Sequence, residues 1–336
     1  MKKMHLVGIP AIASLLLVTG CSSLEAGTPT SNGDGGDFPN NEPVTIVLPY
    51  AAGGSSDTLV RALEPYLAEE LGTDVIIENV VGAGGQLGLT QVANAEPNGH
   101  TIGLTNLPSS LAYLNPDKQA PYDGADFEPL GTINRFQWLL VTSKGKDWEN
   151  LDDFIAAAKE NPGAIAVGTD GLTGDDHMAL LEFQRLTDTE LKVVPFDDGS
   201  EKMTALMGNQ IDASFGTVPT FSAQLETGDL KPLAALEEQS IESLEVETAA
   251  DQGVDLQWDS FNVLSAPDGL PDNVAETLES AIESALAAAQ EDPAFTEPMT
   301  NAGFVIEYSN AADTRENWDD LEATFKELMP LARGEQ

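Results

Sequence analysis

The sequence predicts an α/β protein of two lobes with a ligand cleft between them, and three observations carry that reading. A short apolar strand, a glycine-rich turn and a helix recur at Thr45–Asp57 and Asp74–Gly88, followed by a third strand at His100–Leu104. A second α/β unit on the same plan fills the middle of the chain, from Trp138 to Ala235. The chain has 336 residues, and about 295 remain once an N-terminal leader and tether are set aside, more than one hydrophobic core usually holds.

The leader comes first. Met1-Lys2-Lys3 and the apolar run Leu6–Val18 have the layout of a secretory signal over residues 1–20, the run being too short to cross a bilayer comfortably. Val18-Thr19-Gly20-Cys21 resembles a bacterial lipobox, so Cys21 is the expected lipidation site and the chain is expected outside the cytoplasm, anchored to the membrane by lipid. Cys21 is the single cysteine, which excludes a disulfide framework and a thiolate metal site. Residues 21–41 are rich in Ser, Gly, Thr, Asn, Asp and Pro and read as a flexible tether.

Strand Thr45–Leu48 then feeds the turn Pro49–Ser56 and a helix from about Asp57 through Leu67. Such a turn points backbone N–H groups and small hydroxyls at a helix N-terminus, where peptide dipoles favour an anion. It lacks the Gly-Lys-Ser/Thr ending of a nucleotide loop, so a carboxylate is the expected guest. Strand Asp74–Asn79, the glycine run Gly82–Gly88 with a helix through Ala95, turn Glu96–Gly99 and strand His100–Leu104 follow. That spacing implies parallel pairing through right-handed crossovers, with ligands beyond the carboxyl ends of the strands.

In the second unit the pattern predicts strand Trp138–Thr142, a helix from Asn150 to Lys159, strand Ala164–Val167, loop Gly168–Asp176 and helix His177–Leu186. Strand Lys192–Phe196, helix Gly199–Met207, strand Ile211–Phe215, a helix over about Thr220–Glu226 and strand Leu230–Ala235 complete it. Strand Phe261–Pro267 and helices Asp272–Ala289 and Thr314–Leu328 return to the first unit. The expected division is 42–139 plus 259–336 for lobe 1 and 140–258 for lobe 2, with the ligand between them.

Formal net charge is −41, which argues against nucleic acid as a partner. The same charge opposes a dianionic ligand unless salt screens it. We read the acidic surface as an adaptation to a salty habitat.

Taken together, Leu48-Pro49-Tyr50-Ala51-Ala52-Gly53-Gly54-Ser55-Ser56-Asp57, Glu78-Asn79-Val80-Val81-Gly82-Ala83-Gly84-Gly85, Ala95-Glu96-Pro97-Asn98-Gly99-His100-Thr101, Asn161-Pro162-Gly163, Val194-Pro195-Phe196 and Ser265-Ala266-Pro267-Asp268-Gly269 make the chain similar to one family. It resembles the receptors of tripartite tricarboxylate transporters, the Bug or TctC-type extracytoplasmic solute-binding proteins, from about Pro43 to the C-terminus. The resemblance implies a two-lobed periplasmic-binding-protein-like fold of type II that closes on a carboxylate-bearing solute. It also implies delivery to two integral-membrane subunits, one large and one small, by a monomer that needs no cofactor. Ligand contacts implied by the resemblance are Tyr50, Ala51, Gly53, Gly54, Ser55, Ser56 and Asp57 in the first loop, and Thr105 and Asn106 beside it. A facing loop of the other lobe adds Thr169, Gly171, Thr173 and His177.

Three departures bear on the ligand. Asp170, Asp175 and Asp176 stand where uncharged residues are common, Asp197-Asp198 where Lys-Gly is frequent, and Gly216 where an acid often stands. These carboxylates either belong to a solvated acidic coat, which the overall acidity favours, or face the cleft. In the second case a multiply anionic ligand is disfavoured, and a monocarboxylate or a zwitterion such as an amino acid fits better. The expected guest is therefore a small carboxylate, amino acid or dicarboxylate.

Asp57 can touch ligand or cap its helix, and His177 can donate to ligand or fix its loop. Gly82–Gly88 looks like a dinucleotide turn but lacks the acidic partner after the next strand, so tight helix–strand packing is the better reading. Trp138, Trp148, Trp258 and Trp318 read as packing residues, Trp258 with a possible place at a hinge or cleft rim. Ser55 or Ser56 with His177 could imitate a hydrolase triad, yet no Gly-x-Ser-x-Gly elbow is present, and no enzyme activity is expected. Acidic clusters suit Ca²⁺, but no spacing matches an EF-hand loop. A receptor feeding a two-component sensor is the alternative to transport.

Overall fold

The computed structural model describes residues 38–196 and 199–335. The leader, most of the tether, Cys21 and Asp197-Asp198 lie outside the described residues.

The first sheet takes its strands from both ends of the chain. Strand β1 (Val44–Leu48) leads into helix α1 (Ser55–Leu71), then β2 (Val75–Asn79), α2 (Gln86–Ala93), β3 (Thr101–Leu107) and β4 (Phe127–Phe136). The chain then enters the second sheet with β5 (Trp138–Ser143), α3 (Leu151–Glu160), β6 (Ala166–Asp170), α4 (Asp175–Thr187), β7 (Lys192–Phe196), α5 (Gly199–Met207), β8 (Ala213–Thr217), α6 (Val218–Glu226) and β9 (Leu230–Ala235). It returns through β10 (Ser260–Pro267), α7 (Asp272–Glu291), α8 (Pro293–Asn301) and α9 (Ala311–Ala332).

Strand order is β2-β1-β3-β10-β4 in one sheet and β7-β6-β8-β5-β9 in the other. β1 runs parallel to β2 and β3, and β6 parallel to β7 and β8, as βαβ crossovers require. The late strand β10 lies antiparallel between β3 and β4, and β5 antiparallel between β8 and β9. The first sheet therefore takes β10 from beyond the second, which is built wholly of the consecutive strands β5–β9, and the chain passes between the sheets twice, at β4–β5 and at β9–β10. β4 escapes the sequence pattern because Pro129 and Gly131 interrupt its apolar run and its burial is nearly continuous rather than alternating. Helix α8 escapes it too, since Pro293 and Pro298 read as breakers although Pro293 occupies a first-turn position.

Helix α1 buries Leu59, Val60, Leu63, Leu67 and Leu71, one stripe at helical spacing, and ends at Gly72 in the left-handed conformation (φ 64°). The stripe packs on Val44, Ile46 and Leu48 of β1 and on Leu278, Ile282 and Leu286 of α7. α9 returns across β4 and α4, with Trp318 fully buried against Phe127, ring centres 6.1 Å apart. At the crossing, Trp258 is buried between Trp138 (6.5 Å, edge-on) and Phe325 (5.9 Å), and its backbone N–H donates to the Leu236 carbonyl. It is a core residue just before β10. Arg135 and Asp259 form an ion pair across the same crossing.

Candidate functional site

The β1–α1 loop is built by its glycines and by Asp57. Gly53 sits at φ 82°, a left-handed conformation that only glycine adopts without strain, and the Gly54 N–H donates to the Ala51 carbonyl at 3.3 Å. α1 starts two residues earlier than the pattern suggests, at Ser55, with Gly54 as its N-cap and no capping side chain. The N–H groups of Ser55 and Ser56 therefore have no intrahelical acceptor. Gly88 brings α2 against the loop: a methyl there would stand 2.9 Å from both Pro49 Cα and the Val80 carbonyl. The Gly82–Gly88 run is thus a close-packing device.

Asp57 does not cap α1, and its buried carboxylate is taken up by its own loop. Its carboxylate accepts from the Gly53 N–H (2.8 Å), Arg61 Nε (2.9 Å) and Asn79 Nδ2 (2.9 Å), and Asn79 also donates to the Tyr50 carbonyl (3.0 Å). Burial works to raise its pKa, but Arg61, the Gly53 N–H and Asn79 together hold it down at about 2. This hub fixes both ends of the loop.

Tyr50, Ala51, Gly54, Ser55 and Ser56 line a cavity of about 340 Å³ with Asn106, Phe136 and Ser260 from the first sheet's side. Trp138, Asp175 and Thr217 close it from the second. Among the described residues, no lysine, arginine or histidine lines it. A second cavity of about 390 Å³ shares Trp138, Asp175 and Thr217 and extends past Ala83, Gly84, Ser109, Asn115, Asp170, Thr173, Asp176 and Lys202.

The remaining candidates sit behind these walls. Thr105 is fully buried, its hydroxyl bonded to Ser265 Oγ at 2.7 Å. Thr169 is buried and its hydroxyl donates to the Gly171 carbonyl at 2.7 Å, fixing the turn after β6. The His177 ring donates from Nδ1 to the Leu172 carbonyl at 2.5 Å, and burial pushes its pKa down, leaving a neutral ring that holds the loop. Among these candidates, the first loop, Asn106 and Thr173 are brought to the cavities, while Gly53, Asp57, Thr105, Thr169, Gly171 and His177 shape the loops from behind.

The acidic loop differs from a solvated coat. β6 continues to Asp170 and α4 begins at Asp175, so the expected loop 168–176 is shorter. Asp176 is buried, accepts from the Asp170 N–H (2.8 Å) and from Lys202 Nζ (2.6 Å). Lys202, itself buried, donates also to Asp170 (2.8 Å). Burial works against its charge, but these two carboxylates raise its pKa. Asp175 reaches the cavities instead and accepts from the Ser109 hydroxyl at 2.8 Å. Gly216 lacks an acid for a steric reason: a Cβ there would stand 2.8 Å from the Phe221 ring. Asp175 was open between two readings from sequence. Lys202 carried no signal beyond being a lysine among the apolar residues of α5. Trp138, Thr217 and Ser260 are strand-end residues whose convergence depends on the crossing.

Two α/β lobes with a cavity at the α1 N-terminus define the class of two-lobed solute-binding proteins. The sequence profile described as "Tripartite tricarboxylate transporter family receptor" matches residues 59–329, and the chain belongs to that receptor family. Protein BugT of Bordetella pertussis is 28% identical over 281 residues, covering 79% of this chain and 85% of BugT. The structure of a TctC solute-binding protein from Polaromonas superposes with a TM-score of 0.75 at 23% identity, covering 87% of this chain and 99% of that one. MatC from Rhodopseudomonas palustris with bound malate gives 0.69 at 24% identity, covering 87% of this chain and all (100%) of the other. Family and fold thus make the chain a solute-binding receptor rather than an enzyme.

Proposed function

We propose that the receptor binds a small carboxylate-bearing solute in the cavity at the α1 N-terminus and delivers it to the large and small integral-membrane subunits of a tripartite transporter. One observation carries the reading: an uncapped helix end, with Ser55 and Ser56 at its first two positions, opens on a cavity that no cationic side chain lines. Unpaired N–H groups and the aligned peptide dipoles supply a fixed, pre-oriented site for one negative charge. Serine hydroxyls, the Asn106 amide and bridging waters complete the shell. The malate in MatC supports the carboxylate class. Placement outside the cytoplasm on a lipid at Cys21 belongs to the same reading, and mass spectrometry of the mature N-terminus tests it.

The site is tested by thermal-shift and calorimetric screening of mono-, di- and tricarboxylates and amino acids at high salt, followed by Ser55→Trp. Ser55 is exposed on the loop, so the variant is expected to keep its circular dichroism and to lose at least about tenfold in affinity. Unchanged affinity would remove the loop from the mechanism.

A further inference from the structure

Resting on the carboxylate site at α1, we propose that Asp175 sets the specificity of this receptor, selecting a solute that carries an amine opposite its carboxylate and rejecting dicarboxylates. The two helices that open on the cavities are not equivalent. At α1 the first-turn acid, Asp57, faces away and is neutralised by Arg61, so that end is free for a ligand anion. At α4 the first-turn acid Asp175 lies in the wall of both cavities, so a carboxylate already occupies the anion-favouring end of the second lobe.

Among the described residues, no cation is paired with Asp175. Lys202 is bonded to Asp170 and Asp176, and the other lysine lining these cavities, Lys118, is solvent-exposed. Its hydrogen-bond partner is the Ser109 hydroxyl, contributed by the first lobe. Burial and the charges of Asp176 and Asp170, opposed by Ser109 and Lys202, raise its pKa to about 7. That is the behaviour of a carboxylate lacking a counter-charge. A second ligand carboxylate placed here would meet like charge in a partly dehydrated space, whereas an ammonium would find both its countercharge and a hydrogen-bond acceptor.

The test is calorimetry with the purified protein and matched probes: amino acids of two to six carbons with the amine at the α or terminal carbon, the dicarboxylates of equal length, and the monocarboxylates. The wild type is expected to bind at least one amino acid about tenfold tighter than its matched dicarboxylate and monocarboxylate. Asp175→Asn, which keeps the shape and can still bond Ser109, and Asp175→Ser, which also opens space, are each expected to lower that amino-acid-to-dicarboxylate ratio at least about tenfold. Dicarboxylates binding the wild type as well as their amino-acid matches would overturn the proposal, as would a preference that survives in both variants. Either result leaves the α1 site standing. Failure of all carboxylates, amino acids included, to bind would overturn both.

Discussion

Asp57 stands beside a helix N-terminus and yet leaves it open for another anion, because its negative charge is already matched. Arg61 one turn later, the Gly53 N–H and Asn79 surround a carboxylate that is buried. Its pKa, lowered from 3.8 to about 2, makes a contribution to stability that is full above the unfolded value and disappears as pH falls through the folded one. Asp57→Asn is therefore expected to cost about 2 kcal/mol near neutrality. The cost should shrink between about pH 4 and pH 2 until the two proteins unfold alike, as read from denaturant curves across that range. A constant difference at all pH values would show that the charge is not what the loop depends on. Asp175 and Asp176 are adjacent in sequence and opposite in fate, one facing the cavity and the other closed on Lys202. Nothing in a run of acids distinguishes them. The partners come from α5 and from the segment after β3, at sequence separations of 26 and 66 residues.

Across the first sheet, three asparagines on neighbouring strands join β4, β10 and the cavity. Asn106 of β3 donates to Asn262 of β10 at 2.9 Å, and Asn262 donates to Asn134 of β4 at 2.8 Å, each pair directly opposed in register. Asn262 and Asn134 are fully buried, so the ladder satisfies amides that no water reaches. It also fixes the amide of Asn106 at the cavity wall. Asn262→Leu is expected to destabilise the protein by about 1–3 kcal/mol, since it strands a buried Asn134 acceptor. The same change should weaken ligand binding several-fold by freeing Asn106; calorimetry beside urea unfolding separates the two effects. Full affinity in the folded variant would show that Asn106 needs no such support. Elements of this kind were only partly legible beforehand. The strand–glycine turn–helix units announce themselves within a dozen residues through hydrophobic period and turn chemistry. β4 does not, because a strand covered on both faces loses the alternation by which strands are recognised.

For the protein as a whole, charge is the dominant surface property. Glu69 and Glu70 on α1, Glu276 and Glu283 on α7, and Glu316, Asp319 and Asp320 on α9 are all exposed, and they contribute to a net charge of −41. Self-repulsion of that size destabilises the compact state, and added salt shortens its reach from about 10 Å at 0.1 M to about 3 Å at 1 M. The melting temperature is therefore expected to rise by several degrees or more between about 0.1 and 2 M KCl, followed by calorimetry. Ligand affinity should persist over the same range, because the α1 site works through short-range, fixed N–H groups rather than a long-range field. A melting point that falls with salt would end the reading of the coat as a halophilic adaptation.

The glycine turn at Gly53–Ser56, the alternation of strands with helices and the acidity of the surface are properties of neighbouring residues or of composition. They are present in the chain before it folds, and so are the two α/β units they imply. Asp57 and Arg61 stand one helical turn apart, a local pair, whereas which carboxylate meets the cavity and which is closed on Lys202 depends on groups that only packing brings within 3 Å of each other. Electrostatic energy falls with distance and grows with burial, whatever the separation along the chain. That is why the charge of the site became readable only once the lobes had come together.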